Sequence, residues 1–422
     1  MLDLKFIRDS PEVVKKNLKI RGYSEAVSIV EILKLDTDWR KLKSEDDSLR
    51  SEKNKLSKAI SDSKKSGDKR GMNELLSKAK MIPEKLDSNE AKEKEIKERL
   101  DSLLSLIPSI ISDDVPIGGE DKNKEVYVKN KSMIPKLKNP KTHLELGEAL
   151  DIIDIKRSTK LSGAGFYILK GKGARLQRAL VQFMLDFHEK NGLVEINPPQ
   201  LVNKESLFGT GQLPKFDDQQ FKTIQGNYLI PTSEVPVTNM YSGETLNHKV
   251  LPLKFCAFTQ CYRTEAGRHT GEEGLFRLHQ FEKVEMVYFC KSDDSWKFLE
   301  EMTLNAEKIL GLLELPYRRL LLSSEDASFS SAKTYDLEVW SPAMKRWLET
   351  SSCSNCTDFQ ARRMNLRYQD DKGQLNFCHT LNGSGLALPR LMISLIECNQ
   401  QSDGSIKIPK ALWKYTGFKV IK

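Results

Sequence analysis

From Trp39 to Ile107 the apolar positions recur in alternating steps of three and four, and most positions between them are polar or charged. Trp39, Leu42, Asp46, Leu49, Lys53, Leu56 and Ile60 make one run. Beyond Ser66-Gly-Asp-Lys-Arg-Gly71 a second follows, through Leu75, Ala79, Ile82, Leu86, Asn89, Glu93, Ile96, Leu100, Leu103 and Ile107. This heptad spacing predicts two long helices paired as an antiparallel coiled-coil hairpin over about 37–107. With the turn near residue 68, Ile60 faces Leu75, Leu56 faces Ala79, Leu49 faces Leu86, and Asp46 meets Asn89 in a polar layer that sets the register. Pro83 removes one backbone hydrogen bond and predicts a kink in the second helix.

The pattern then changes. Residues 112–142 read as a charged connector punctuated by Pro116, Gly118, Gly119, Pro135 and Pro140. A helix runs from Gly171 to Lys190 with Leu176, Leu180, Phe183, Met184 and Phe187 on one face, followed by an extended run over 193–202. Period-two segments follow at 254–261, 281–290 and 334–340, with helices expected at 294–310 and 389–399. Strands in a central block with helices around them predict an α+β domain built on a mainly antiparallel sheet, with domains at 1–111 and 143–422 flanking the connector. There is no P-loop and no GxGxxG after a strand.

Residues 262–285 carry the densest chemistry. Two β-like limbs hold Arg263 and Glu265 on one side and Arg277, Phe281 and Glu285 on the other, with a glycine-bearing, charged loop over 266–275 expected to be the mobile element. Residues two apart on a strand share a face, so each group is expected to point one way. An ordinary solvated hairpin has the same alternation; the aromatic ring and the loop favour a surface for phosphate, amine and flat base together.

Composition narrows the partners. Sixty-seven basic and 59 acidic side chains leave a net charge of +8, which suits a polyanion without demanding one. Lys55, Lys58, Lys64, Lys65, Lys69 and Arg70 gather toward the tip of the hairpin, where they suit a phosphate backbone. No apolar run approaches a membrane span and the N-terminus lacks a signal-peptide layout, so the chain is expected to be soluble and cytoplasmic. Seven cysteines without a framework fit reduced thiols. Cys353-Ser-Asn-Cys356 with Cys378 and His379 raises a zinc site as an alternative; it lacks a second paired knuckle, and no structural zinc is expected.

Pro231-Thr-Ser-Glu-Val235, Arg263-Thr-Glu265, Glu349-Thr-Ser-Ser-Cys-Ser-Asn355 and Asn382-Gly-Ser-Gly-Leu-Ala-Leu-Pro-Arg390, in this order behind a heptad hairpin, resemble the class II aminoacyl-tRNA synthetases across nearly the whole chain. Within that class the resemblance is closest to the seryl-tRNA synthetases. The helix, extended run and Pro199 look like motif 1, usually found at a dimer interface. The resemblance implies activation of serine with ATP to seryl-adenylate, then transfer to the 3′ end of tRNA(Ser) held by the hairpin, by a homodimer with Mg2+ as cofactor. An adenylating paralogue that loads a carrier protein, which has no use for the arm, and a non-catalytic coiled-coil binding protein are the competing classes.

It also implies roles. Arg263 bridges the carboxylate and the α-phosphate, Arg277 reaches the γ-phosphate, and Glu265 holds the adenine edge or the ribose side. Phe281 lies under the base with Arg390 over it, while Gly383 and Gly385 let the backbone approach the nucleotide. Glu349 and Ser352 match the magnesium positions; read alone, Glu349 is a strand-end salt bridge. Thr232 and Glu234 match the positions that hold the substrate ammonium, though a helix cap is the simpler reading of Thr232-Ser-Glu234. Glu285 and Ser384 match those that bind the hydroxyl, Ser384 standing where many relatives have threonine. Asn382 joins the serine-binding set, and Arg263, Arg277 and Glu349 form the catalytic one.

Overall fold

A computed structural model describes residues 1–66, 69–265 and 274–422. The expected hairpin tip near residue 68 and most of the 266–275 loop lie outside the described residues. The chain forms two compact units, Leu2–Ile107 and Pro108–Lys422, with Met1 counted in the second.

The first unit contains α1 (Leu4–Asp9), α2 (Pro11–Ile20), α3 (Ile29–Ser66) and α4 (Lys69–Ser105). The heptad positions bring α3 and α4 together, and the polar layer forms: Asn89 Nδ2 donates to the buried Asp46 at 2.9 Å. Trp39 Nε1 donates to Glu93 at 3.1 Å, a second link across the pair. At the base, buried Asp36 accepts from Arg8 and Arg40 at 3.0 and 3.1 Å. Helix α4 continues through Pro83, beside the buried Ile82.

Among the described residues the second unit is built on an eight-stranded main sheet: β1 (Lys124–Lys129), β2 (Val194–Ile196), β3 (Leu253–Tyr262), β4 (Gln280–Cys290), β5 (Tyr317–Leu321), β6 (Lys333–Ser341), β7 (Arg346–Asn355) and β8 (His379–Ala387). Their order is β1-β5-β6-β7-β8-β4-β3-β2, antiparallel throughout except for the parallel pair β2 with β3. The expected connector therefore contributes an edge strand, β1, to this sheet. Its residues are mostly exposed, so it lacks the apolar alternation that marks a strand in sequence. The extended run at 193–202 is interrupted at the two prolines, leaving β2 and a separate short strand Leu201–Val202.

Helices α5 (His143–Ala149), α6 (Gly171–Lys190), α7 (Glu234–Asn239), α8 (Ser295–Leu312) and α9 (Leu388–Cys398) belong to this unit. Leu176, Leu180 and Met184 of α6, Met302 and Ile309 of α8, and Leu391 and Leu395 of α9 bury against Val284, Met286 and Tyr288 of β4 in one core. Strand side chains alternate, so the intervening Phe281, Lys283 and Glu285 turn to the opposite face. That face lines the site.

Candidate active site

The strand faces and the turns at their ends enclose a cleft of about 1090 Å³. Thr232, Glu234, Arg263, Glu265, Arg277, Phe281, Glu285, Glu349, Ser352, Asn382, Ser384 and Arg390 all line it. These twelve residues, expected from the sequence to form the site, are thus brought to one cavity, although they come from elements as far apart as 232 and 390.

At its deep end lies a buried polar cluster. Thr232 Oγ1 donates to Glu285 Oε2 at 2.8 Å, Lys283 Nζ donates to Thr232 Oγ1 at 2.9 Å, and Lys283 forms an ion pair with Glu285. Glu234 N donates to Thr232 Oγ1 at 3.2 Å in a turn just ahead of α7; the N-cap of that helix is Ser233, which makes no side-chain cap, so Thr232 serves the cavity cluster rather than capping the helix. Gln360 Nε2 donates to Glu234 Oε1 at 2.6 Å. Burial, then the neighbouring Glu285, pushes the Glu234 carboxyl up to about 7. Ser384 stands opposite Glu285 in the β8–β4 register, and Asn382 stands opposite Ser354 on β7.

The 262–285 segment departs from simple alternation. Strand β3 ends at Tyr262 and β4 begins at Gln280, so Arg263, Glu265 and Arg277 lie beyond the ladder and the period-two rule does not orient them. Glu265 takes φ +48°, a left-handed turn rare for a non-glycine residue. This brings its carboxylate to Arg277 Nη1 at 2.8 Å, while Arg277 Nε stays buried without a partner. Arg263 donates to the Pro231 carbonyl at 3.3 Å and stacks on Phe281, 5.0 Å from the ring centroid.

Arg390 is placed differently from the expected lid over Phe281. Its guanidinium lies 5.0 Å from the Phe276 ring centroid, and Arg346 lies 4.3 Å from the same ring. Arg390 Nη1 also donates to Glu349 Oε2 at 3.1 Å, so the salt-bridge reading of Glu349 holds in this state. The glycines are also corrected. A Cβ on Gly383 would stand 2.7 Å from Met302 Sδ, and one on Gly385 2.4 Å from His188 Nε2. Close approach by helices α8 and α6 behind the sheet, rather than by a nucleotide, requires them.

Three further cleft residues were not singled out from the sequence. Lys283 was legible in the Phe281, Lys283, Glu285 alternation. Asp336 lies in the equally alternating 334–340 segment and faces Ser352 across β6 and β7. Phe276 lies outside any strand and carries no such signal. Burial, then Glu349, pushes the Asp336 carboxyl well above the carboxylate range against a hydrogen bond from Ser352, and its Oδ1 has no partner. Glu349, Ser352 and this oxygen make a hard donor set of the kind a divalent cation takes. Cys353 and Cys356 instead contact Ser351, Ser330 and Asn382, and His379 contacts Ser295. Among the described residues no three His, Cys, Asp or Glu side chains gather as a metal site.

An antiparallel sheet with Arg263 and Arg277 flanking the loop of its β3–β4 hairpin, and a carboxylate strand facing a glycine-bearing one, is the arrangement of a class II aminoacyl-tRNA synthetase. The family model described as "tRNA synthetase class II core domain (G, H, P, S and T)" matches residues 221–399, and "Seryl-tRNA synthetase N-terminal domain" matches residues 1–111. The serine–tRNA ligase of Caldicellulosiruptor saccharolyticus is 47% identical over 426 residues, and that of Thermodesulfovibrio yellowstonii 44% over 427, each covering 100% of both chains. Seryl-tRNA synthetase from Pyrococcus horikoshii, solved with ATP, superposes with a TM-score of 0.94 at 36% identity, covering 100% of this chain and 99% of that one. This chain belongs to the seryl-tRNA synthetase family.

Proposed function

We propose that this chain activates serine with ATP and transfers it to the 3′ end of tRNA(Ser). A serine carboxylate oxygen attacks the α-phosphorus, the bond to the β-phosphate oxygen breaks, and pyrophosphate leaves. The terminal ribose hydroxyl then attacks the acyl carbon and AMP departs. Such chemistry needs positioning and charge neutralisation more than covalent help.

The observation that carries the reading is the convergence of Arg263, Phe281, Glu285, Glu349 and Arg390 on one cleft. Arg263, at the end of β3, bridges the carboxylate and the α-phosphate, while Arg277 takes the γ-phosphate and Glu265 the adenine edge or the ribose side. For the adenine to sit on Phe281, Arg263 must leave the ring and Arg390 must leave Glu349 to cover the base. Glu234 and Thr232 hold the ammonium, and Glu285, Asn382 and Ser384 face the hydroxyl. Glu349 and Ser352, with Asp336 behind Ser352, would hold a magnesium ion, which when bound neutralises charge on the phosphates.

Arm residues of the first unit contact the tRNA, the working form is a homodimer, and it acts in the cytoplasm. Pyrophosphate exchange into ATP with each of the twenty amino acids tests the reading; serine alone is expected to support it. Arg263→Ala should abolish the exchange, by at least about a hundredfold, if the guanidinium stabilises the transition state. Near-wild-type exchange by that variant removes Arg263 from the chemistry.

A further inference from the structure

The amino-acid pocket contains a cation of its own. Lys283 stands on the cleft face of β4 between Phe281 and Glu285, opposite Thr259 of β3, and is only 6% exposed. Its contacts fill the Thr232 hydroxyl completely. The hydroxyl hydrogen goes to Glu285 Oε2, and the oxygen accepts from Lys283 Nζ and from Glu234 N. That exhausts one donor and two lone pairs. A substrate ammonium that donates to Thr232 must therefore replace one of these two donors. The Glu234 N–H is fixed in the first residue of α7, whereas the lysine sits on a flexible four-carbon stem, so Lys283 is the one that yields. Glu285 is loaded unevenly: Oε2 serves both Thr232 and Lys283, and Oε1 is buried with no partner.

We propose that Lys283 is a positioning and specificity-determining residue of this pocket: its ammonium holds the substrate-ammonium position on Thr232 in the empty site and fixes Glu285 through Oε2, leaving Oε1 free for the substrate hydroxyl. The proposal rests on the serine-activating reading. Amino-acid binding becomes an exchange of one ammonium for another at Thr232, and neither state leaves a buried carboxylate uncompensated. A substrate without the hydroxyl leaves Oε1 buried and unpaired, which is the penalty that rejects it.

Charged and titratable groups meet Lys283 from three elements: Glu285 on its own strand, Glu234 from α7, and Arg263 with Cys261 from the end of β3. Glu234, raised to about 7 by burial and Glu285, is held down in part by Lys283. Without the lysine the Glu234 carboxyl stays protonated to higher pH, so the defect deepens toward acid pH.

The test is serine-dependent pyrophosphate exchange by the full chain and by Lys283→Met, Lys283→Arg and Lys283→Gln. Failure of the wild type with serine would strike the underlying reading; with the wild type active, the variants bear on Lys283 alone. Lys283→Met should raise the serine KM about 10- to 100-fold and move the ATP KM by less than about threefold. Its serine KM defect should be larger at about pH 6.5 than at about pH 8.5, and its preference for serine over alanine should fall about tenfold. Lys283→Arg, which keeps the charge, should recover part of that preference. Wild-type serine KM and preference in Lys283→Met overturn the proposal, as does an equal rise in serine and ATP KM without pH dependence. Should Lys283→Met not fold, matching serine KM and pH profiles for Lys283→Gln and Lys283→Arg overturn it, because charge then plays no part.

Discussion

Glu234 is where burial and chemistry pull in opposite directions. Its carboxyl is raised from an ordinary 4.5 to about 7 by burial and then by Glu285. A raised carboxyl stabilises the fold fully at acid pH, and that contribution is lost as pH rises through about 7. The ionised form is the one that holds an ammonium, so activity should move the other way. Because kcat/KM reports the free enzyme, its value for serine should fall about tenfold per unit below an apparent value near 7. Exchange rates from about pH 5.5 to 8.5 check this, and Glu234→Gln should flatten the limb; an unchanged limb assigns it to another group. At this scale the sequence was legible where a strand imposes its own geometry: Phe281 and Glu285 share a face because β4 is regular there. Arg263, Glu265 and Arg277 lie past the strand ends, where a left-handed Glu265 decides orientation and no periodicity encodes it. The pairing of Arg390 with Phe276 and Glu349 depends on segments far apart in sequence, and local pattern carries no information on it.

Strand β8 is held between β7 and β4, with glycines where helices cross behind it. Ser384 lies between those glycines, so the depth at which β8 sits determines where its hydroxyl meets the pocket. His188 on α6 is fully buried, and burial lowers its imidazole to about 4, so a neutral ring packs against Gly385. Gly385→Ala would put a methyl 2.4 Å from His188 Nε2, and the enclosed ring has no open side to move into. A loss of about 1–3 kcal/mol is expected, with a raised serine KM as Ser384 shifts. Denaturant melts check it, and adding His188→Ala should restore part of the loss; strict additivity of the two changes would show that the crowding is not between them. Elements with strong period were legible: the heptads of α3 and α4, the strands at 253–262 and 280–290, and the helices α6, α8 and α9. Exposed β1 was not, because an edge strand with little buried surface has no need of alternation.

The two compact units set the proposed chemistry apart from the proposed tRNA contacts, and a deletion tests that division. Every residue of the proposed chemistry lies in Pro108–Lys422, as do the described residues that line the cleft. Helices α3 and α4 of the other unit are held together by their heptads, the Asp46–Asn89 layer and the Trp39–Glu93 bond. They present exposed Lys55, Lys58, Lys64, Lys65 and Arg70, a charge pattern suited to phosphates and unrelated to amino-acid activation. Removal of residues 40–100 should therefore leave serine-dependent pyrophosphate exchange within about threefold of the full chain and reduce tRNA charging by at least about a hundredfold, since the loss falls on binding of the second substrate. Salt sharpens the distinction. Charging by the full chain should weaken steeply as salt rises, because contacts to phosphate release counter-ions, whereas exchange should respond much less. Parallel loss of both activities in the deletion variant would mean that the arm supports the catalytic unit. Charging that survives the deletion would place the tRNA contacts on the catalytic unit instead.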